Sequence, residues 1–569
     1  MGDVLEYLVD GTSGISPGGV EGSAIVVGVC SKGQVGKGYL LGKSSDLAGL
    51  LGVGPLVERA RDMLATGGQS PTLIAVPCSG EARGYLTDVV ATGGNGKYPD
   101  VTVSGVPQKN LDIVVRVESA GQVGTATVKV SQDGGEKFGS AVTAEQQLVI
   151  EGSGATLLFP EEARLEAGWQ WAFTARLPIG PVSRVGDEAS PLPTVAGTVL
   201  AGADIAIQIV KGGGRNEGTY QLSTDGGENY GKTRTIPVDG AVALADLGVA
   251  VTFPEGEYVG GTTYACNLLA PEASIVDVMA ALEGPLALFD TEFVLVAGPT
   301  DSVDWAAMQA RAEELWNLHR PTYFKAETRL PHDNEDLNDF AAWLVAEKQD
   351  IAARFVQVCP QYGRITSSDG VTGRRNAAGL QAGRSMSIPV QRATGRVRDG
   401  NISQLSLPDG WEAVQPVLEE AGFLTAKKYA GLDGAYWGDS RTLADDTSDY
   451  RYEEVIRTVF KAVRKGRVAA LKSMYDEAGD PTQGANNATG LAFLKANIEA
   501  ALDTMKGANP QELADYVVNI PDGQDIVNNG VVVEITLIGI PIIRQIKLYF
   551  SYTYAGGKLD PRGLKQSGS

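Results

Sequence analysis

The sequence predicts a multidomain chain of mixed class, α/β plus α+β: an interrupted α/β core, two tandem inserted β-sandwich-like domains, and an α+β C-terminal domain. Three observations predict it. Strand-like and helical patterns alternate over residues 21–87 and again over 271–365, which marks an α/β unit. Helical periodicity disappears between those two stretches. A glycine-rich turn sequence in that gap returns later within it, the mark of a duplicated domain.

At roughly 150 residues per domain, a chain of 569 residues holds several cores. Apolar residues make up 43% of it and the mean hydropathy is −0.06, so each domain can bury a proper core. Lys and Arg number 48 against 69 Asp and Glu, a net charge of −21 that repels phosphate backbones. Nucleic acid is therefore not an expected partner. Cys30, Cys78, Cys266 and Cys359 show no CxxC spacing and are expected as free buried thiols in a reducing compartment. The start, MGDVLEYLVDGTSG, lacks the regions of a signal peptide, and the most apolar stretch, VVVEITLIGIPII, is broken by Glu534 and closed by Arg544. No membrane span or anchor is expected.

Residues 1–20 read as an arm, with Val4, Tyr7 and Val9 alternating before the glycine-rich GTSGISPGGVEGS. From Ser23 a buried strand, SAIVVGVC, leads to a short strand, GYLLG. Ser44 or Ser45 is then placed to cap a helix near DLAGLLG. The amphipathic helix PLVERARDMLATGG and the strand SPTLIAVPC follow. Two β domains come next, 88–182 and 183–270. Their runs, such as LDIVVRVES and TATVKVS, alternate with period two between glycine turns. SQDGGEKFG at 131–139 recurs as STDGGENYG at 223–231, and Phe159-Pro160-Glu161 recurs as Phe253-Pro254-Glu255.

Helices and strands then resume with SIVDVMAALEG, TEFVLVAGP, DWAAMQARAEELWNL, TYFKAE, LNDFAAWLVAEKQ and ARFVQVCPQYG. An insertion costs little when its ends lie close together in a surface loop. Residues 21–87 and 271–365 are therefore expected to form one discontinuous domain. The C-terminal domain, 366–555, holds a long helix from about Tyr450 to Asp476 and a second, TGLAFLKANIEAALDTMKG. Closing strands are expected from GQDIVNNG into VVVEITLIG and in IIRQIKLYFSYTY, before a polar tail at 556–569.

Motifs for chemistry are weak. Gly38 to Gly42 has three intervening residues where a phosphate loop needs four. The SxDGGxx[FY]G pair resembles the Asp-box, which implies structural turns built by Asp133, Gly135, Asp225 and Gly227. His319 and His332 lack a nucleophile or ligand partner nearby, and Asp333, Asn334, Glu335 and Asp336 suit a helix cap. No catalytic, cofactor or metal residue is expected. On the long helix, Val455, Val459 or Phe460, and Val463 form an apolar stripe. Arg457, Lys461, Arg464, Lys465 and Lys472 lie on another face, which is either a solvated face or a dock for an acidic partner. The apolar terminal segment is either paired inside its own domain or donated to a neighbour by β-augmentation together with the N-terminal arm.

Together these blocks resemble the contractile tail sheath proteins of phages. The glycine-rich arm, GVCSKGQVGKG, the helix after Ser-Ser-Asp, and GVGPLVERARDMLATGGQSPTLIAV carry the likeness at one end; LDGAYWGDSRTLADDTSDYRYEEVIRTVFKAVRKGRVAAL and the closing apolar strands carry it at the other. The resemblance implies a structural subunit, not an enzyme. It would polymerise as stacked hexameric rings around a tail tube and contract from a metastable extended state to drive the tube through a cell envelope.

It implies strand exchange between subunits through Val4, Tyr7 and Val9, through Val531, Val533, Ile535 and Leu537, and through Ile546, Leu548, Phe550 and Tyr552. Lys461, Arg464 and Lys465 become the candidate tube contact. Tail tube, baseplate and tail terminator proteins are the implied partners, and the virion tail, assembled in the host cytoplasm, is the implied location. The β repeats would be surface decoration. Two rival readings are an adhesin or glycan-binding protein that uses those repeats, and a nucleotide-dependent α/β enzyme.

Overall fold

The computed structural model describes residues 20–94, 97–333, 335–480, 484, 488–550 and 552. Its centre is a six-stranded sheet of β1 (Ser23–Val29), β2 (Tyr39–Leu41), β3 (Thr72–Cys78), β4 (Phe293–Pro299), β5 (Tyr323–Glu327) and β6 (Val356–Cys359), in the order β2-β3-β1-β4-β5-β6. Neighbours run parallel except β2 against β3. Every residue of β1, β5 and β6 is buried, because helices cover both faces of a parallel sheet and its strands become continuous apolar runs.

Helix α1 (Pro55–Thr66) packs against α2 (Ala378–Ser387). Small residues set the spacing: a Cβ on Gly383 would stand 2.7 Å from the Met63 carbonyl oxygen. At that distance the Thr66 hydroxyl donates to the Leu380 carbonyl, 3.0 Å away. The short helix Leu47–Leu51 is capped by Asp46, whose carboxylate accepts from Gly49 N at 2.9 Å. Ser45 instead accepts from Gly42 N, so the cap lies one or two residues beyond the expected serines.

Between β3 and β4 the chain leaves and returns through a neck at Glu81 and Glu272, whose amides and carbonyls exchange hydrogen bonds of 3.1 and 3.0 Å. Two β units fill the gap. In the first, Val142–Thr143, Thr127–Ser131, Leu111–Ser119 and Gln170–Arg176 lie side by side. In the second, Arg234–Thr235, Thr219–Ser223, Ala203–Lys211 and Thr263–Leu268 lie in the same order. Each unit adds a three-stranded sheet and a separate core, around Val115, Leu157 and Trp171 in one and Ile207, Val251 and Tyr264 in the other.

One apolar core runs from Ala24 to Phe460. Residues 366–452 therefore share the core of the central sheet instead of starting a separate domain at 366. The reason lies at the sheet edge: Leu424 N donates to Val358 O at 3.0 Å and Leu443 N to Val356 O at 2.9 Å, so this segment covers the open side of β6. A smaller core begins on α3 (Glu453–Leu471) at Ala462 and includes Ile498, Leu502 and Met505 of α4 (Thr489–Lys506). Against it lies a two-stranded antiparallel sheet, Asp515–Asn519 with Glu534–Ile538. GQDIVNNG is not a strand: Ile526–Asn529 is a helical turn capped by Asp525.

Candidate assembly interface

Helix α3 is held to the central sheet by buried charge. Lys325 of β5 donates to Glu453 at 2.7 Å, Gln357 at 2.8 Å and Gln381 at 2.8 Å, and the Tyr323 hydroxyl donates to Glu453 at 2.9 Å. Burial alone would raise the Glu453 carboxyl, but Lys325 and Arg457 draw it down to about 2. One helical turn on, Arg457 pairs with Glu292 at 2.6 Å, both side chains 1% exposed. The buried face of α3 thus contains Glu453, Ile456, Arg457 and Phe460, whereas Val455, Val459 and Val463 of the expected stripe are half-buried.

The expected basic face is largely turned inward as well. Besides Arg457, Lys461 pairs with Glu512 at 2.8 Å, and Arg464 donates to the carbonyls of Thr291, at 3.3 Å, and Pro321. Lys465 is half-buried, Arg467 and Lys472 are exposed, and none of the three has an ion-pair partner among the described residues. Free positive charge therefore sits toward the C-terminal end of α3, beside the exposed Val468, Leu471 and Tyr475.

Among the described residues no further strand pairs with either edge of the small terminal sheet. Val531 and Val533 pack onto the subunit's own Leu491 and Ile520, and Leu537 packs onto the α3–α4 core. Ile535 stands half out in solvent. Residues 539–550 form no strand, and no backbone hydrogen bond joins them to the other described residues. Along this extension Ile546 is 73%, Leu548 70%, Phe550 91% and Tyr552 82% exposed. Val4, Tyr7 and Val9 lie outside the described residues.

Two features at this end escape sequence reading. The first is the strand Asp515–Asn519, which supplies the partner for Glu534–Ile538. The second is Arg544. Its guanidinium donates to Asp439 at 2.8 and 3.1 Å and to Glu454, and it lies 3.5 Å over the Tyr452 ring. Burial pushes the Glu454 carboxyl up to about 7, against the pull of Arg544. No local spacing announces a contact across 105 residues.

The other singled-out residues are structural in placement. Asp133 accepts from the Ser131 hydroxyl at 2.6 Å and from Lys137 N at 2.9 Å; Asp225 accepts from Ser223 at 2.5 Å and from Asn229 N at 2.9 Å. Gly135 and Gly227 donate their amides to those same serines and take φ of 100° and 93°, a conformation that favours glycine. His332 stacks on Tyr85 at 4.0 Å, Asp333 pairs with Arg176, Glu335 pairs with Arg329, and Asp336 caps Leu337–Lys348. Among the described residues no cluster of three or more His, Cys, Asp or Glu could hold a metal, and no helix is long and apolar enough to cross a membrane.

Two family profiles match this chain: residues 1–441 match the N-terminal domain of DUF2586 and residues 449–557 its C-terminal domain. The chain belongs to the DUF2586 family. The break between the two DUF2586 domains falls just before α3, whose first two turns still belong to the large core through Ile456 and Phe460.

This DUF2586 chain is also similar to a protein of Haemophilus phage HP1 (strain HP1c1) that carries the provisional name tail sheath protein, at 29% identity over 187 residues. The match covers 30% of the chain and 46% of that protein, under half of the relative's own length. Among solved structures it is similar to the sheath tail protein of Desulfitobacterium hafniense, with 13% identity, 95% and 100% of the two chains covered, and a TM-score of 0.40. For the sheath tail protein of Listeria innocua the values are 10%, 92%, 96% and 0.38. At those TM-scores neither structure bears on fold or function.

Proposed function

We propose that this chain is the structural subunit of a contractile tail sheath, without catalytic activity, and that it assembles by lending its terminal strands to neighbouring copies. The observation that carries this reading is the C-terminal end: a two-stranded sheet with no further strand on either edge among the described residues, followed by an extension whose Ile546, Leu548 and Phe550 are exposed. Burying each of those apolar side chains is worth about 1.5–3 kcal/mol, and unpaired edges invite another strand. Extended backbone, alternating apolar residues and a waiting edge are what β-augmentation requires.

In the assembly, stacked rings of subunits surround a tail tube and end at baseplate and terminator proteins, in a virion tail. Strands lent between neighbours would keep the lattice joined while the rigid bodies slide from an extended to a contracted state. The two β units are read as sandwich-like decoration of the outer surface. Tube contact falls to Lys465, together with Arg467 and Lys472, since Lys461 and Arg464 are engaged inside the subunit.

Negative-stain microscopy tests the reading. The full chain should form rings or tubes at high concentration or on tube protein, and a chain ending at Arg544 should stay folded and unassembled. A full-length chain that remains monomeric under both conditions would sink it.

A further inference from the structure

We propose that Arg544 is the pivot of the C-terminal arm, and that Asp439, Tyr452 and Glu454 are the socket that holds it. This rests on the reading of residues 545–552 as a lent strand. Between the end of the small sheet at Ile538 and the exposed Ile546, the chain passes Gly539, Ile540, Pro541, Ile542 and Ile543 without a backbone hydrogen bond to other described residues. Ile540 and Ile542 of that strap are half-buried, but its first hydrogen bond or ion pair among the described residues is made by Arg544.

There the geometry changes. The guanidinium meets the Asp439 carboxylate through two contacts of 2.8 and 3.1 Å, reaches Glu454, and has its Cζ 3.5 Å from the centroid of the Tyr452 ring. The side chains of Asp439 and Glu454 are only 22% and 5% exposed. Without the cation, two carboxylates would face each other with little water, which is strongly unfavourable. A planar guanidinium suits the socket because its several N–H groups can reach both carboxylates while the group sits on the ring, a fixed geometry that a lysine ammonium does not reproduce.

The socket also stands on the rigid part of the molecule. Tyr452 and Glu454 flank Glu453, the residue tied to Lys325 of β5. The arm is thus fastened to the central body at Arg544 instead of swinging from the small sheet at Ile538. A neighbour that captures residues 545–552 then pulls on the large core, and the strap 539–543 stays with its own subunit.

NMR relaxation of backbone 15N on the unassembled full chain tests this, with Arg544→Gln and Arg544→Lys as variants. In the wild type, the order parameters of 540 and 542–544 should be clearly higher than those of 546–550, as expected for a segment held at its far end. Arg544→Gln should bring the strap down to the values of 546–550, with Arg544→Lys between, while β1 and β4 stay unchanged. Equal order parameters in the wild type, or an unchanged strap in Arg544→Gln, would overturn the pivot. Assembly is scored separately by microscopy. If the wild type forms no polymer, the lent-strand reading fails while the relaxation data still decide where the arm is fastened.

Discussion

Arg457 of α3 and Glu292, one residue before β4, form an ion pair of 2.6 Å with 1% of either side chain exposed. Glu292 also accepts from Gly22 N at 2.6 Å, so one carboxylate ties the segment before β1, the central sheet and helix α3 together. Removing one partner leaves a bare charge in the interior. Glu292→Ala should lower the stability of the central body by about 3–5 kcal/mol, and pairing it with Arg457→Met should recover most of that loss. Chemical denaturation of the unassembled chain measures both.

His332 gives the central body an acid limit. Burial, with Arg329 close by, pushes its pKa from 6.5 down to about 4. The unfolded chain therefore binds a proton that the folded chain refuses between those values. Its contribution is fully present above pH 6.5 and is lost as pH falls toward 4, reaching about 3 kcal/mol. Replacing it by Phe keeps a ring on Tyr85 and removes the titration. The stability difference between wild type and His332→Phe should shift by that amount between pH 7.5 and 4, measured by denaturation at each pH.

The paired turns of the β units offer an internal comparison. Asp225 is buried and Asp133 exposed, although both close the same kind of turn. Asp225→Ala should therefore cost more, about 1–3 kcal/mol for a buried network left unsatisfied, against a smaller loss for Asp133→Ala. Unfolding of the β units, followed by exchange in Ala203–Lys211 and Leu111–Ser119, reads the two effects. Polymer formation should not change with either.

Charge reversal at Lys465, Arg467 and Lys472 addresses the tube. These side chains hold no ion pair among the described residues, so replacing them by Glu should leave folding within about 0.5 kcal/mol. Tube-templated assembly should weaken, and more so at low salt, where like charges are less screened. Sedimentation with tube protein at two salt concentrations is the measurement. Lys461→Glu, by contrast, should lower stability, because it sets two acids against each other at Glu512.

How much of this could be read beforehand depended on the distance over which each feature is encoded. SAIVVGVC, TLIAVPC and FVLVAG announce β1, β3 and β4, since strands covered on both faces are written as unbroken apolar runs. The turn at Asp225 is equally local, with its partners two and four residues away. The inward face of α3 was illegible because it includes Glu453 and Arg457, residue types that amphipathic patterns assign to solvent. Their partners stand 128 and 165 residues away. IIRQIKLYFSYTY alternates like a strand, yet alternation states a preference for extended backbone and not the origin of the partner strand. Asp515–Asn519, with two valines and a tyrosine among polar neighbours, gave too short a signal to compete.

The neck at Glu81 and Glu272 bears on how the chain can be redesigned. Two backbone hydrogen bonds clamp the ends of the insertion before either β unit begins; beyond them the units touch the central body through side chains such as Arg176 on Asp333 and Tyr85 on His332. Exchanging everything between for a tight turn, or for an unrelated folded module with adjacent ends, adds little closure entropy. Each copy in a polymer would then carry one such module. The neck is thus a grafting point, at which a repeating scaffold can be given a new exterior without rewriting its interior.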